Sequence, residues 1–205
     1  MNSQSPLTRK GRKVDQVLHG AREIFLRDGF EGASVDDIAR AAGVSKATLY
    51  SYFSDKRQLF QEVVQSECDR MATRIVGQIN ENAPVRERLI TAAYGAGRFI
   101  VSDFAQRIFR ICVAERDRFP ELGQAYYASG PAKGHAEVRY HLKCAVEQGE
   151  LVINDIDMAA HQFTELCKTR VFIRACFGVQ SDFSDDEMKE IATEAVETFL
   201  ARYGA

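Results

Sequence analysis

Apolar side chains recur every three or four residues along nearly the whole chain, which is the spacing of one face of an α-helix. No apolar run alternates as a strand would, and no segment repeats. The pattern therefore predicts an all-α protein of about nine helices. Their expected ranges are about 12–27, 35–42, 46–53, 56–79, 85–103, 105–118, 131–149, 156–177 and 185–203.

Two of these helices are short and are separated by the sequence Ala-Gly-Val-Ser at residues 42–45. Ser34 and Ser45 are suited to cap them, and Gly43 tolerates the positive φ that a tight turn between helices needs. The apolar positions are enough to pack both short helices on the first long one. The spacing predicts a helix-turn-helix over residues 34–53, with an inner face formed by Val35, Ile38, Ala39, Val44, Leu49 and Phe53.

The remaining positions of the second short helix would face solvent, and they carry groups that suit a DNA groove. The backbone amides after Ser34 and Ser45 can bind phosphate, and Lys46 and Lys56 add positive charge. Tyr50 and Tyr52 can donate to phosphate or touch a thymine methyl group. The alternative is a small helical hairpin with a solvated polar face. The expected solvent-facing set is Lys46, Ala47, Thr48, Tyr50, Ser51 and Tyr52.

Charge is distributed unevenly along the 205 residues, although the net charge is only −2. Residues 1–60 carry ten basic and seven acidic side chains, whereas residues 61–205 carry seventeen and twenty-two. A basic N-terminal module on an acidic body fits a protein that presents one end to nucleic acid.

Other functional classes find little support in the sequence. It contains no nucleophile motif, phosphate-binding glycine loop or paired cysteines at metal spacing, so we predict no enzyme, metal or cofactor. His135 and His141 are six residues apart and would not share a helix face as ligands four apart do. Five single cysteines are expected to be plain buried thiols. Without a long apolar run or a secretory signal, a cytoplasmic location is expected.

Residues 13–60 closely resemble the N-terminal DNA-binding domain of the TetR family of bacterial regulators. The resemblance rests on the runs AREIFLRDGFEGASVDDIARAAGVS and KATLYSYFSDKRQLF. It implies a dimeric all-helical repressor whose recognition helix is 46–53, with a DNA-binding domain over 1–55 and an effector and dimerisation domain over 56–205. It also implies phosphate contacts at Ser34, Lys46, Tyr50, Tyr52 and Lys56, and approach to bases at Ala47, Thr48 and Ser51. The position of Ala47 is often glycine in the family.

The C-terminal part resembles the AefR-like subgroup through RIFRICVAERDRFPELGQAYYASGPAKG and CAVEQGEL. The helices 156–177 and 185–203 are broadly apolar, so they either form core within their own chain or build a four-helix interface between two copies, which the resemblance favours.

Repression of a pseudo-palindromic operator, relieved by a small molecule, is expected. An activator or an effector-independent regulator is the alternative. The alternative for the aromatic candidates is that they fill the core. The candidates for an effector pocket are Tyr94, Arg98, Phe99, Phe109, Arg116, Tyr127 and Phe163.

Overall fold

A computed structural model describes the backbone of residues 6–205 and the side chains from residue 11 onward. Within that range the chain forms helices and a single isolated β-bridge, between Leu151 and Gly204, so the predicted all-α class is confirmed. The helices are α1 Pro6–Gly32, α2 Val35–Ala41, α3 Lys46–Tyr50, α4 Lys56–Val76, α5 Val85–Ile100, α6 Asp103–Ala114, α7 Pro120–Ser129, α8 Pro131–Glu147, α9 Ile156–Leu166, α10 Phe172–Cys176 and α11 Asp185–Tyr203.

The structure has two helices more than the sequence predicts over the described residues. Pro120 begins α7 rather than breaking the pattern, because a proline at the first helical position loses no hydrogen bond. The predicted helix 156–177 divides into α9 and α10, with Arg170 between them at a φ of 68°. The backbone angles of Gly29 are not helical, close to the point where the sequence predicts that the first helix ends. α1 nevertheless extends to Gly32.

The chain divides into two compact units. The first comprises the described residues through Glu67 together with Arg107–Tyr127. Its interior is organised by three phenylalanines: the ring of Phe60 meets those of Phe25 and Phe30 edge-on at centroid distances of 5.1 and 5.5 Å. Phe119 packs on Phe30 at 5.1 Å. Aromatic edge-to-face packing thus joins the end of α1 to α4 and to the segment before α7.

The second unit comprises Cys68–Gln106 and Ala128–Ala205. α11 supplies much of its core through one face, where Val196 and Phe199 are fully buried and Phe199 packs edge-on against Phe163 at 5.2 Å. The opposite face of α11 carries mainly charged and polar side chains. Over residues 6–205 no helix is both long enough and apolar enough to span a bilayer.

Candidate nucleic-acid interface

α2 and α3 form the predicted helix-turn-helix, and its inner face is packed. Ile38, Leu49 and Phe53 are all buried, while Val35 and Val44 are half-buried. α3 ends at Tyr50, earlier than predicted, and the chain continues through a turn to Phe53. Burial of Leu49 and Phe53 fixes which side of α3 faces outward.

The turn between the two helices has the backbone geometry that the sequence predicts. Gly43 adopts a φ of 64°, and the amide of Val44 donates to the carbonyl of Ala39 at 3.0 Å. A second glycine lies directly beneath this turn. A β-carbon at Gly20 of α1 would lie 2.6 Å from the backbone nitrogen of Ala42, so the helix and the turn meet backbone to backbone.

Both short helices are capped by serine side chains. Ser34 Oγ accepts from the amide of Asp37 at 3.0 Å and donates to the Asp37 carboxylate at 2.6 Å. The Ser34 hydroxyl, and then the guanidinium of Arg40 at 2.6 Å, lower the pKa of Asp37. Ser45 Oγ accepts from the amide of Thr48 at 3.1 Å. These bonds satisfy first-turn donors and hold both helices in place.

The outward face of α3 brings together the residues predicted to face solvent. Lys46, Ala47, Tyr50 and Ser51 are exposed, with Tyr50 retaining 46% of its surface, and Tyr52 is half-buried in the following turn. The hydroxyl of Ser51 donates to the Thr48 carbonyl at 2.7 Å. Thr48 is half-buried and its hydroxyl lies 2.8 Å from that of Ser45. The result is a short protruding surface with two tyrosines and one lysine.

Lys46 is already paired within the protein. Its ammonium lies 3.0 Å from Oδ1 of Asp36, which comes from the first turn of α2. The hydrogen bond that Lys46 donates to the Asp36 carboxylate raises the pKa of Lys46. A phosphate approaching Lys46 therefore meets a carboxylate beside the positive charge, and this pairing between two helices carries no signal in the sequence.

Lys56 has a structural position at the start of α4. Its ammonium donates to the carbonyls of Ala33 and Glu31, at 3.0 and 3.2 Å, and lies 4.8 Å from the ring centre of Phe30. Burial lowers the pKa of Lys56. Its predicted phosphate contact remains a prediction, and the geometry adds a second role, because this side chain ties α4 to the end of α1.

The seven residues proposed to line an effector pocket are divided between the units. Phe109, Arg116 and Tyr127 belong to the first, and Tyr94, Arg98, Phe99 and Phe163 to the second. Several of them already have partners within their own unit. Phe163 is a buried core residue, Tyr94 donates to Asp185 Oδ1 at 3.0 Å, and Arg98 donates to the Phe183 carbonyl at 2.7 Å.

The other members of that set are less enclosed. Phe99 is half-buried, Tyr127 is exposed, and Arg116 is an exposed partner of Asp117 at 3.2 Å. Phe109 contacts the ring of Tyr126, with centroids 6.2 Å apart. In the first unit, a groove of about 340 Å³ lies between α1 and α6. Its lining contains none of the seven residues, so the effector pocket itself stays a prediction.

A further candidate, Gln106, was missed at the sequence level. Its side chain is buried, and Nε2 donates to the Ile100 carbonyl at 2.8 Å. Its Oε1 has no hydrogen-bond partner among the residues that the structure describes. A buried carbonyl oxygen left in this state is uncommon, since nearly all such atoms accept a hydrogen bond from protein or water. A glutamine in a helix carries no sequence signal of this kind.

Two family models match the chain. Residues 17–63 match the family described as bacterial regulatory proteins, tetR family, and residues 87–205 match the AefR-like transcriptional repressor C-terminal domain. The HTH-type transcriptional activator FasR of Mycolicibacterium smegmatis is 35% identical over 88 residues, which are 43% of this chain and 40% of FasR. The chain thus spans well under half of that relative.

Solved structures show the same fold over nearly the full chain. A TetR-family transcriptional regulator from Mesorhizobium loti has a TM-score of 0.87 and 28% identity, covering 96% of this chain and 99% of its own. The flavonoid-responsive regulator FrrA has a TM-score of 0.78 and 31% identity, covering 95% and 98%. With its packed helix-turn-helix and an AefR-like C-terminal part, this chain belongs to the TetR family of DNA-binding transcription regulators.

Proposed function

We propose that the protein is a homodimeric repressor that leaves a pseudo-palindromic operator when a small molecule binds. The DNA-binding part of the proposal rests on the outward face of α3, where Tyr50 is exposed. The serine caps and the turn at Gly43 hold this face in position. The DNA-binding domain is residues 1–55, and residues 56–205 bind the effector and the second subunit.

In this proposal α3 lies in the major groove, as the second helix of a helix-turn-helix does. Ser34, Ser45, Lys46, Tyr50, Tyr52 and Lys56 contact phosphates, and Ala47, Thr48 and Ser51 approach base edges. Ala47 is exposed and small, so its methyl group can lie against a thymine methyl. Because the hydroxyls of Thr48 and Ser51 have partners in their own helix, their base contacts require rotation of the side chain or a bridging water.

The dimer is proposed to form through helices 156–177 and 185–203. Support comes from a cluster of exposed apolar side chains at α10 and just after it: Ile173, Phe177 and Val179 keep 63%, 79% and 75% of their surface. Apolar exposure of this kind is typical of a protein interface. The outward face of α11 is polar, so we expect that helix to contribute charged pairs at the rim. Two-fold symmetry would then place the two recognition helices about 34–36 Å apart.

An effector is proposed to act on α4, the helix whose first residues belong to one compact unit and whose last residues belong to the other. Gln106 Oε1 supports a polar ligand in the second unit, since it lacks a donor among the described residues. A relative of this fold, FrrA, is named as flavonoid-responsive. An effector that binds the free and DNA-bound states unequally, by about 1–3 kcal/mol, would suffice for release.

The DNA-binding proposal is tested by comparing Tyr50→Ala with Tyr140→Ala. Tyr140 is an exposed tyrosine on α8 in the other unit, with 63% of its surface accessible against 46% for Tyr50, so it controls for loss of an aromatic surface residue. We expect Tyr50→Ala to weaken binding to the promoter region beside the gene, with an unchanged melting temperature. Tyr140→Ala should bind like the parent. Equal binding by both variants and the parent would remove α3 from the interface.

A second reading is that the bound dimer activates transcription. The relative FasR, which is named as a transcriptional activator, favours this alternative. The AefR-like C-terminal family, in contrast, is described as a repressor family. A footprint combined with a reporter on the same promoter separates the two. A repressor lowers reporter output from the occupied site, and an activator raises it.

A further inference from the structure

Three metal-ligating side chains converge between α8 and α9 in the second unit. His135 lies on α8, and Asp157 and His161 are one helical turn apart on α9. The Nε2 atoms of His135 and His161 are 3.7 and 4.0 Å from the two carboxylate oxygens of Asp157. The imidazole rings stack with centroids 3.8 Å apart and an angle of 22° between their planes. Both rings therefore present Nε2 toward the same carboxylate.

The donor atoms are close to the spacing that a bound ion requires. One ligand atom from each residue lies within 4.8 Å of the others. Bonds of about 2.0–2.1 Å in a tetrahedral zinc site place ligand atoms roughly 3.4 Å apart. The ligand atoms must close in to that spacing, and the stacked rings must tilt so that their in-plane lone pairs converge on one point. The side chains of Asp157 and His161 are 61% and 56% exposed, so they are free to make this change.

Binding would change the hydrogen bonding of His135 in a defined way. Its Nε2 lies 3.3 Å from the backbone carbonyl of Asp157, a contact in which the nitrogen can only donate. A metal ligand needs the lone pair of a neutral imidazole nitrogen, so the bound form of His135 would be the tautomer whose single proton is on Nδ1, and Nε2 would give up its contact with the carbonyl.

We propose that His135, Asp157 and His161 bind one divalent transition-metal ion, with zinc as the representative ion and water completing its coordination. Two imidazoles and one carboxylate suit zinc, nickel or copper, and they suit magnesium and calcium poorly, because those ions prefer oxygen ligands. The ion would join the N-terminal halves of α8 and α9. This site is independent of the proposed operator and effector.

The test is zinc titration of the full chain, followed by calorimetry and by the melting temperature. The parent is expected to bind one zinc per chain and to melt at a higher temperature with zinc, but not with magnesium. His161→Asn and Asp157→Asn should each weaken zinc binding by at least about tenfold, since each removes a ligand. His141→Asn, on the same helix as His135 but outside the cluster, should bind zinc like the parent.

Two control measurements distinguish the loss of a zinc ligand from the loss of folding and from zinc binding at a cysteine. Melting of each variant without metal shows whether it folds; the two ligand variants replace side chains that are 56% and 61% exposed, so both should melt like the parent without zinc. Cobalt in place of zinc reports the ligands by its absorption, and a thiolate charge-transfer band would assign the ion to a cysteine instead. Such a band, or parent-like zinc affinity in both His161→Asn and Asp157→Asn, overturns the proposal.

Discussion

Gly20 and Ala42 pack backbone against backbone, where α1 passes beneath the turn of the helix-turn-helix. A β-carbon at residue 20 would lie 2.6 Å from the Ala42 nitrogen and 2.9 Å from its α-carbon. Real contacts do not become this short, so a side chain at residue 20 must push the turn away from the helix. The orientation of α3 therefore depends on a residue that lies outside both helices of the helix-turn-helix.

Gly20→Ala is expected to destabilise the protein by about 1–3 kcal/mol, the usual cost of overpacking against a rigid neighbour. Gly11→Ala is the matched control: it lies in the same helix and its β-carbon would meet nothing within 4 Å. That control should be neutral or stabilising by up to about 1 kcal/mol, since alanine favours helix. Urea unfolding measures both, and a Gly20→Ala variant as stable as the parent would show that the turn can move freely.

Asp36→Asn is expected to raise affinity for DNA severalfold. The change releases Lys46 from a carboxylate 3.0 Å away and removes a negative charge beside the proposed phosphate contact. Asp69→Asn is the control, because Asp69 forms a similar pair with Lys133, at 2.7 Å, in the other unit. Fluorescence anisotropy with a labelled duplex measures the effect. Equal gains in the two variants would mean that only overall charge matters.

Lys56 is expected to contribute to stability as well as to DNA binding. Lys56→Ala loses two hydrogen bonds to carbonyls and should cost about 1–3 kcal/mol, whereas the exposed Lys46→Ala should cost under about 0.5 kcal/mol. Lys56→Met keeps the aliphatic stem and should recover part of the loss. Denaturant unfolding separates the three variants.

The same Lys56 variants measure the proposed phosphate contact. If Lys56 neutralises one phosphate, the slope of log affinity against log salt should fall by about 1 in both Lys56→Ala and Lys56→Met. An unchanged slope in the two variants would restrict Lys56 to its structural role at the end of α1.

Phe177→Asp is expected to dissociate the proposed dimer. The ring is 79% exposed in the single chain, so the change should leave the monomer folded while placing a charge in an apolar interface. Val152→Asp, another exposed apolar residue of the same unit, serves as the control. Sedimentation at micromolar concentration should give a monomer for the first and a dimer for the second. A Phe177→Asp dimer would place the interface elsewhere.

The helix-turn-helix was predictable because its signals are local. Serines at the caps, a glycine at the turn and apolar residues at helical spacing act over three or four positions, and the structure has all of them in the expected roles. The extra helices were missed for an equally local reason. Pro120 has the same sequence signature whether it ends one helix or begins the next, and the apolar residues of helix 156–177 resume at Val171 directly after the break at Arg170.

The amino-acid sequence by itself determined the helical class, the capped turn and the buried side of the second short helix, where Leu49 and Phe53 lie, since each depends on neighbours a few positions away. Only the tertiary structure decided that Lys46 is paired with Asp36, that Lys56 binds the end of α1, and that His135 meets His161 across two helices. Those relationships join residues 10 to 26 positions apart. They depend on how helices pack, which periodicity along one helix does not specify.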